Sequence, residues 1–226
     1  MSCLVAFDLD GVLYSSEPFL ADAYRAAAER VNSIEPGAIP RVPEVREILR
    51  HVGWPVPQIL DNVFPDLHEA ARSRFRELVL EEICRRVERE EGFLYEGVPE
   101  TLEKLRERGA SLAIASNGRK RYVKTVLGTY GLESLFVPVL TVEDVEPQEK
   151  ATVLRAYLER HGIPAERCVF VGDRASDVAA ARRVGCFFVG CAYGHGEGRE
   201  ISGAGPCIGS LRELPSLVDV FLGRGT

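Results

Sequence analysis

The sequence of 226 residues lacks several features that mark special classes of protein. Its six cysteines form no Cys-x-x-Cys pair, so a zinc site or a disulfide framework is not expected, and we interpret them as buried thiols. No apolar run is long enough to cross a bilayer. The first residues have no basic region before Asp8, so no secretory signal is expected. These absences predict a cytoplasmic protein with no membrane partner.

Negative charge outweighs positive charge, because 34 aspartates and glutamates stand against 28 lysines and arginines, which gives a formal net charge of −6. Binding of duplex nucleic acid needs a clustered basic face, so we expect no nucleic-acid partner. A small anion remains a possible ligand, since local charges and backbone amides hold such groups. With 46% hydrophobic and 27% charged residues, the composition is that of an ordinary globular protein with one or two domains.

Short apolar runs of strand length alternate with helical segments over most of the chain. The runs are residues 3–7, 112–115, 168–171 and 186–189. Their continuous apolar character is typical of parallel strands that are buried on both faces. The predicted fold class is therefore α/β, with a doubly wound parallel, Rossmann-like sheet.

Residues 15–96 interrupt this alternation, because they show helical patterns and no convincing strand. The predicted helices are residues 17–31, 43–52, 57–64 and a long amphipathic one from about 66 to 92. We therefore expect an inserted α-helical subdomain of residues 15–96, and an α/β core of residues 1–14 and 97–226.

Two pairs of aspartates follow two of the predicted strands. Asp8 and Asp10 end the first strand, where alternate residues share one face. Asp173 and Asp177 follow the strand at 168–171. Each pair by itself is also compatible with a polar turn or a helix N-terminal acid. Together they would place four acidic groups at one sheet edge, and a hard divalent cation such as Mg²⁺ would relieve their repulsion.

Two further features lie where an anion would bind. Ser116 and Asn117 follow the strand at 112–115 and could present a hydroxyl and backbone amides to phosphate. Taken alone, a simple helix cap explains them better, and their interest comes from lying at a third strand end. Lys150 lies in the first turn of a helix, where the dipole disfavours a cation. A lysine in this unfavourable place suggests that its charge offsets the negative charge of phosphate and carboxylates. The alternative is that Lys150 is an ordinary solvated lysine.

These motifs resemble the haloacid dehalogenase superfamily, in its phosphoglycolate phosphatase-like branch with a helical cap. The matching segments are Phe-Asp-Leu-Asp-Gly-Val-Leu, Ala-Ser-Asn-Gly, a downstream lysine and Val-Gly-Asp-Arg-Ala-Ser-Asp. The resemblance implies a magnesium-dependent phosphatase that acts on a small phosphorylated metabolite, with phosphoglycolate as the first expectation.

The resemblance also implies a role for each site residue. Asp8 would be the nucleophile that becomes an aspartyl-phosphate, and Asp10 the general acid and base. Asp8, the carbonyl of Asp10 and Asp173 would hold Mg²⁺. The phosphate would lie on Ser116 and Asn117, with Lys150 offsetting its charge. Asp177 would support the metal waters or the lysine.

One departure affects Lys150, because many relatives carry the lysine directly before a proline, where this chain has Glu146. Lys150 lies about one helical turn further on, a gap that a lysine side chain can span.

Other reactions on the same fold are less well supported. Asp10 argues against dehalogenation, and the absence of lysine from residues 15–96 argues against a Schiff-base enzyme. A β-phosphoglucomutase-like mutase and a non-catalytic phosphate-binding protein remain as alternatives. The basic segment around Arg46 and Arg50 could meet a substrate carboxylate, but an exposed helix face explains it better.

Overall fold

The computed structural model describes residues 3–223. The strands in this range are β1 Cys3–Phe7, β2 Tyr14–Ser15, β3 Phe93–Leu94, β4 Ala110–Ile114, β5 Cys168–Gly172, β6 Phe187–Cys191 and β7 Cys207–Ile208. The α-helices are α1 Leu20–Ile34, α2 Val45–Leu49, α3 Val56–Val63, α4 Glu69–Glu88, α5 Val98–Glu107, α6 Lys120–Thr129, α7 Lys150–His161, α8 Ala175–Val184, α9 Gly198–Ile201 and α10 Leu214–Phe221.

Five strands form a parallel sheet in the order β4-β1-β5-β6-β7. Strand β1 lies inside the sheet, and its residues alternate between two cores. Val5 and Phe7 join the apolar cluster that includes side chains of α5 and α6, whereas Leu4 and Ala6 join the one that includes α7 and α8. Burial on both faces explains the continuous apolar runs. The predicted doubly wound parallel sheet is confirmed.

The four predicted strands are present, and the fifth strand of the sheet, β7, was not predicted. It is two residues long and pairs with Gly190 and Cys191 of β6. Two residues are too few to show an alternating pattern in the sequence. The hydrogen bonds of β7 depend on β6, which tertiary folding brings alongside.

The segment between β2 and β3 consists of α1 to α4 and the loops that join them. These helices enclose an apolar cluster of their own, in which the ring of Phe75 contacts those of Tyr24 and Phe64. The predicted helices are present with shifted ends. For example, the long helix predicted from 66 to 92 begins at Glu69 and ends at Glu88.

The prediction that residues 15–96 contain no strand is wrong. Strand β3 pairs antiparallel with β2, through Ser15 with Phe93 and Tyr14 with Leu94. Each strand has two residues, too few for a sequence pattern. The pairing holds together the point where the chain enters the four-helix segment and the point where it leaves it.

Cysteine burial differs in part from the prediction. Cys3, Cys84, Cys168 and Cys191 are buried, but Cys186 is half-buried and Cys207 is exposed, because β7 lies at the edge of the sheet. None of these six cysteines is in a disulfide bond. Within residues 3–223, no helix is long and apolar enough to span a membrane.

Candidate active site

The carboxyl edge of the sheet brings the predicted polar residues together. The amide of Asp8 donates to the carbonyl of Val171 (2.9 Å), and the amide of Ala115 donates to that of Phe7 (2.8 Å). Three neighbouring strands therefore end level with one another, and Asp8 follows the middle one. Open α/β sheets bind their ligands at this edge.

Three carboxylates form a buried cluster at this edge. Each of Asp8, Asp173 and Asp177 offers an oxygen that lies within 4.8 Å of the other two. Both oxygens of Asp177 are committed to the protein itself, since Oδ2 accepts hydrogen bonds from the amides of Asp173 (3.1 Å) and Arg174 (3.0 Å) and Oδ1 accepts one from Lys150 (2.6 Å). Asp177 thereby fixes the turn after β5 and leaves Asp8 and Asp173 as the carboxylates available to a ligand.

Lys150 brings a positive charge into this cluster. Its Nζ lies 2.7 Å from Oδ2 of Asp8 and 2.6 Å from Oδ1 of Asp177, and its side chain is 2% exposed. Burial lowers the pKa of Lys150, but the negative charges of Asp177 and Asp8 outweigh that effect, so the pKa is raised overall. Lys150 therefore reaches Asp8 from the first residue of α7, although Glu146 stands where many relatives carry the lysine.

The loop after β6 holds Asp173 in place. Oδ2 of Asp173 accepts hydrogen bonds from the amides of His195 (2.7 Å) and Gly196 (3.0 Å). Gly196 must be glycine, because a Cβ there would overlap the carbonyl of Asp173. No role was predicted for this loop, although the Gly-His-Gly tripeptide that begins at Gly194, shortly after the predicted strand at 186–189, was a usable signal.

The cluster fits a hard divalent cation. Oδ1 of Asp173 is buried and has no hydrogen-bond partner. Burial raises the pKa of Asp8 to about 7, although the positive charge of Lys150 lowers it. Burial also raises the pKa of Asp173 to about 6, and the negative charge of Asp177 adds to this rise. Three carboxylates thus share one ammonium group, and oxygen donors of this kind suit Mg²⁺.

Asp10 lies beside this cluster and has a different environment. Its Oδ1 accepts a hydrogen bond of 2.6 Å from the hydroxyl of Tyr122. Burial raises the pKa of Asp10 to about 7, although the Tyr122 hydroxyl lowers it, so the group can gain or lose a proton near neutral pH. Tyr122 was not predicted as a site residue, since it occupies an ordinary apolar position of α6.

Ser116 and Asn117 are both buried at the end of β4. Oγ of Ser116 accepts from the amide of Gly118 (3.0 Å), which keeps the turn tight. The side-chain amide of Asn117 donates to the carbonyl of Gly53 (2.8 Å), in the loop between α2 and α3. Asn117 therefore links the sheet edge to the four-helix segment.

Arg174 makes a second link to the same loop. Its guanidinium donates to the carbonyls of Leu49 (2.9 Å) and Val52 (3.1 Å), and it also contacts Glu200 (3.3 Å). The side chain is buried, so these bonds are shielded from water. An arginine directly after a strand-end aspartate was visible in the sequence, but its backbone acceptors were not.

A cavity of about 110 Å³ lies between the four-helix segment and the end of β4. Asp10, Ser116, Asn117 and Tyr122 line its polar end. The walls from the helices are mostly apolar: Leu20, Tyr24, Val52, Trp54, Val56, Ile59, Leu60, Val79, Leu80 and Ile83. Arg76 of α4 adds a cation to this wall, and it was not predicted. The position of the cavity beside Asp10 and its mostly apolar walls suit a small organic group.

Arg46 and Arg50, the cations considered from the sequence, are exposed and line a separate, larger cavity. The exposed-helix interpretation of this segment is therefore the better description.

The parallel sheet, the carboxylate cluster at its edge and the cavity above it define an α/β enzyme with an acidic centre. Residues 4–185 match the model of the haloacid dehalogenase-like hydrolases. The chain belongs to this family, as its motifs indicated. The prediction of a phosphoric monoester hydrolase is confirmed at the level of enzyme class.

The chain is similar to bacterial proteins of about the same length. The chain is 32% identical to a phosphoglycolate phosphatase of Vibrio parahaemolyticus, covering 96% of each chain. It is 33% identical to one of Vibrio vulnificus, over 97% of this chain and 96% of that one. A crystal structure described as a "predicted phosphoglycolate phosphatase" from Haemophilus somnus superposes with a TM-score of 0.81 at 24% identity, covering 95% and 96% of the two chains.

Proposed function

We propose that the protein is a magnesium-dependent phosphatase that hydrolyses a small phosphate monoester through an aspartyl-phosphate on Asp8. The observation that carries this proposal is the environment of Asp8. Its carboxylate lies 2.7 Å from the ammonium group of Lys150, and one of its oxygens lies within 4.8 Å of a carboxylate oxygen of Asp173, whose Oδ1 has no partner. An anionic nucleophile can meet an anionic phosphate only where positive charge is concentrated.

The proposed metal ligands are Asp8, Asp173 and the backbone carbonyl of Asp10. Bound Mg²⁺ would supply positive charge that neutralises the phosphate oxygens during transfer. Lys150 would add a fixed ammonium group on the side of Asp177. Ser116 and the amide of Asn117 would bind the phosphate from the end of β4.

The chemistry would take two steps. In the first, an oxygen of Asp8 attacks phosphorus and the ester bond breaks, while Asp10 gives its proton to the leaving alkoxide. In the second, Asp10 takes a proton from water, whose oxygen attacks phosphorus and releases phosphate from Asp8. A pKa of about 7 for Asp10 suits both transfers, since an acid and its conjugate base are both needed.

Residues 15–96 would act as the cap and residues 1–14 with 97–226 as the core. Asn117 and Arg174 hold the cap loop against the site, which would exclude water from the reaction. The cavity beside Asp10 would take the leaving group.

We propose phosphoglycolate as the first substrate to test, because relatives at 32% and 33% identity are named phosphoglycolate phosphatase. Arg76 would pair with the glycolate carboxylate.

The test is phosphate release from a panel of small phosphomonoesters, with either MgCl₂ or EDTA. We expect magnesium-dependent release from the wild type and a loss of at least about 10³-fold in Asp8→Asn with the fold preserved, because the nucleophile is gone. Asp22→Asn is the control, since Asp22 pairs with Arg25 on the exposed face of α1. Activity near the wild-type level in Asp8→Asn would reject the nucleophile. No release across the panel would favour a mutase or a non-catalytic binder.

A cytoplasmic location and the absence of a nucleic-acid or membrane partner stay predictions, as do the domain bounds and the role of each site residue.

A further inference from the structure

Tyr122 contacts a reacting group of the proposed mechanism, although no motif of the sequence points to it. Its hydroxyl donates to Oδ1 of Asp10 over 2.6 Å. The side chain is 8% exposed, and the ring packs in the apolar core with its neighbour Val123. A rigid ring held in this way gives the hydroxyl a fixed position, which a flexible donor would lack.

The hydrogen bond occupies one of the two carboxyl oxygens of Asp10. Because the phenol is the donor, Oδ1 acts as an acceptor, and a transferable proton would lie on Oδ2; Ser16 is a second hydrogen-bonding neighbour of this carboxyl group. Tyr122 and Asp10 both line the cavity of about 110 Å³, together with Ser116 and Asn117. The carboxyl group is therefore fixed at the place where the leaving group would lie.

We propose that Tyr122 is a positioning residue for Asp10 that sets the rotation of its carboxyl group for proton delivery to the leaving alkoxide. This inference rests on the proposed phosphatase function. As the ester P–O bond breaks and the Asp8–phosphorus bond forms, the proton moves from Oδ2 of Asp10 to the alkoxide oxygen. Tyr122 keeps its own proton throughout and touches no substrate atom that reacts.

The alternative is that Tyr122 only fills the core and that its hydroxyl takes the nearest acceptor. The two explanations differ in their dependence on the leaving group. An alkoxide needs a proton as it departs, whereas p-nitrophenolate, a stable anion, does not. A damaged core would slow both reactions, but a misplaced acid would slow only the first.

The experiment compares Tyr122→Phe with the wild type on two substrates, in saturating magnesium. The substrates are p-nitrophenyl phosphate and the alkyl phosphate that the wild type hydrolyses fastest. The readout is kcat/KM, because it reports the step in which the ester bond breaks. Tyr130→Phe is the matched control, since Tyr130 follows the same helix and its hydroxyl donates to the carbonyl of Gly92.

We expect Tyr122→Phe to lower kcat/KM about 10-fold or more for the alkyl phosphate and less than about 2-fold for p-nitrophenyl phosphate. In an Asp10→Asn background the same substitution should change neither value by more than about 2-fold, because the acid is already absent. Equal losses on both substrates, no loss on either, or a loss that persists without Asp10 would each overturn the inference. A wild type without magnesium-dependent turnover would instead reject the proposed function, and the inference with it.

Discussion

Lys150 shows how one buried charge can serve both stability and chemistry. Its ammonium group lies between Asp8 and Asp177, and all three side chains are at most 2% exposed. Removing one partner of a buried ionic group leaves the others uncompensated, which is far more costly than losing an exposed ion pair. The residue therefore has a stability effect that can be measured apart from any activity.

Replacing Lys150 with methionine keeps the length of the side chain and removes its charge. We expect the free energy of unfolding to fall by about 3–5 kcal/mol in EDTA, because Asp8, Asp173 and Asp177 then face one another without a cation. Added MgCl₂ should restore part of the loss by binding the same carboxylates. Urea denaturation with and without MgCl₂ measures both effects, and kcat should fall as well.

Lys124→Met is the matched control, since Lys124 is exposed on α6 and should tolerate the change. If Lys150→Met were as stable as this control, with an unchanged kcat, Lys150 would have neither role.

At the scale of secondary-structure elements, α4 is the part of the cap that supplies a cation to the cavity. Arg74 and Arg76 lie two residues apart on this helix, so they face different directions. Arg76 lines the cavity, and its contact with Glu77 is long, at 3.8 Å. Arg74 lies outside that lining and contacts Glu35. The two residues offer a test of how the proposed substrate is recognised.

We expect Arg76→Gln to raise KM for phosphoglycolate about 10-fold, because the glycolate carboxylate loses a charged partner. The value of kcat/KM for ethyl phosphate, which has no carboxylate, should stay within about 2-fold of the wild type. Steady-state kinetics on both substrates makes the comparison, and Arg74→Gln should leave both values unchanged. A similar rise in KM for the two substrates would show that Arg76 has no part in carboxylate recognition.

At the scale of the whole molecule, a cation bound at the carboxylate cluster should stabilise the fold, because the ligands come from distant parts of the chain. Asp8 follows β1 and Asp173 follows β5, so they are close only when the sheet is formed. A ligand at 100 times its dissociation constant stabilises a protein by about 2.7 kcal/mol. For a chain of this size that corresponds to about 5–10 °C in Tm.

We expect MgCl₂ at such a concentration to raise Tm by that amount and EDTA to reverse it, as measured by differential scanning calorimetry. In Asp173→Asn the shift should shrink below about 2 °C, since a proposed ligand has lost its charge. Asp22→Asn should retain the full shift. An undiminished shift in Asp173→Asn would place the binding of magnesium elsewhere.

The sequence by itself determined the sheet and the positions of its polar edge. Four of the five strands of the sheet were predicted because burial on both faces requires continuous apolar residues. Asp8, Ser116 and Asp173 could be placed at one edge because parallel strands of a sheet end together. These inferences need only the local pattern and the general geometry of α/β proteins.

Only the tertiary structure decided the contacts between distant segments. The reach of Lys150 to Asp8, the hydroxyl of Tyr122 on Asp10, and the β2-β3 pairing all join residues far apart in the chain. The bonds of Asn117 and Arg174 to the cap end on backbone carbonyls. Every residue carries such a carbonyl, so no residue type marks these acceptors in the sequence, and the folded packing alone selects them.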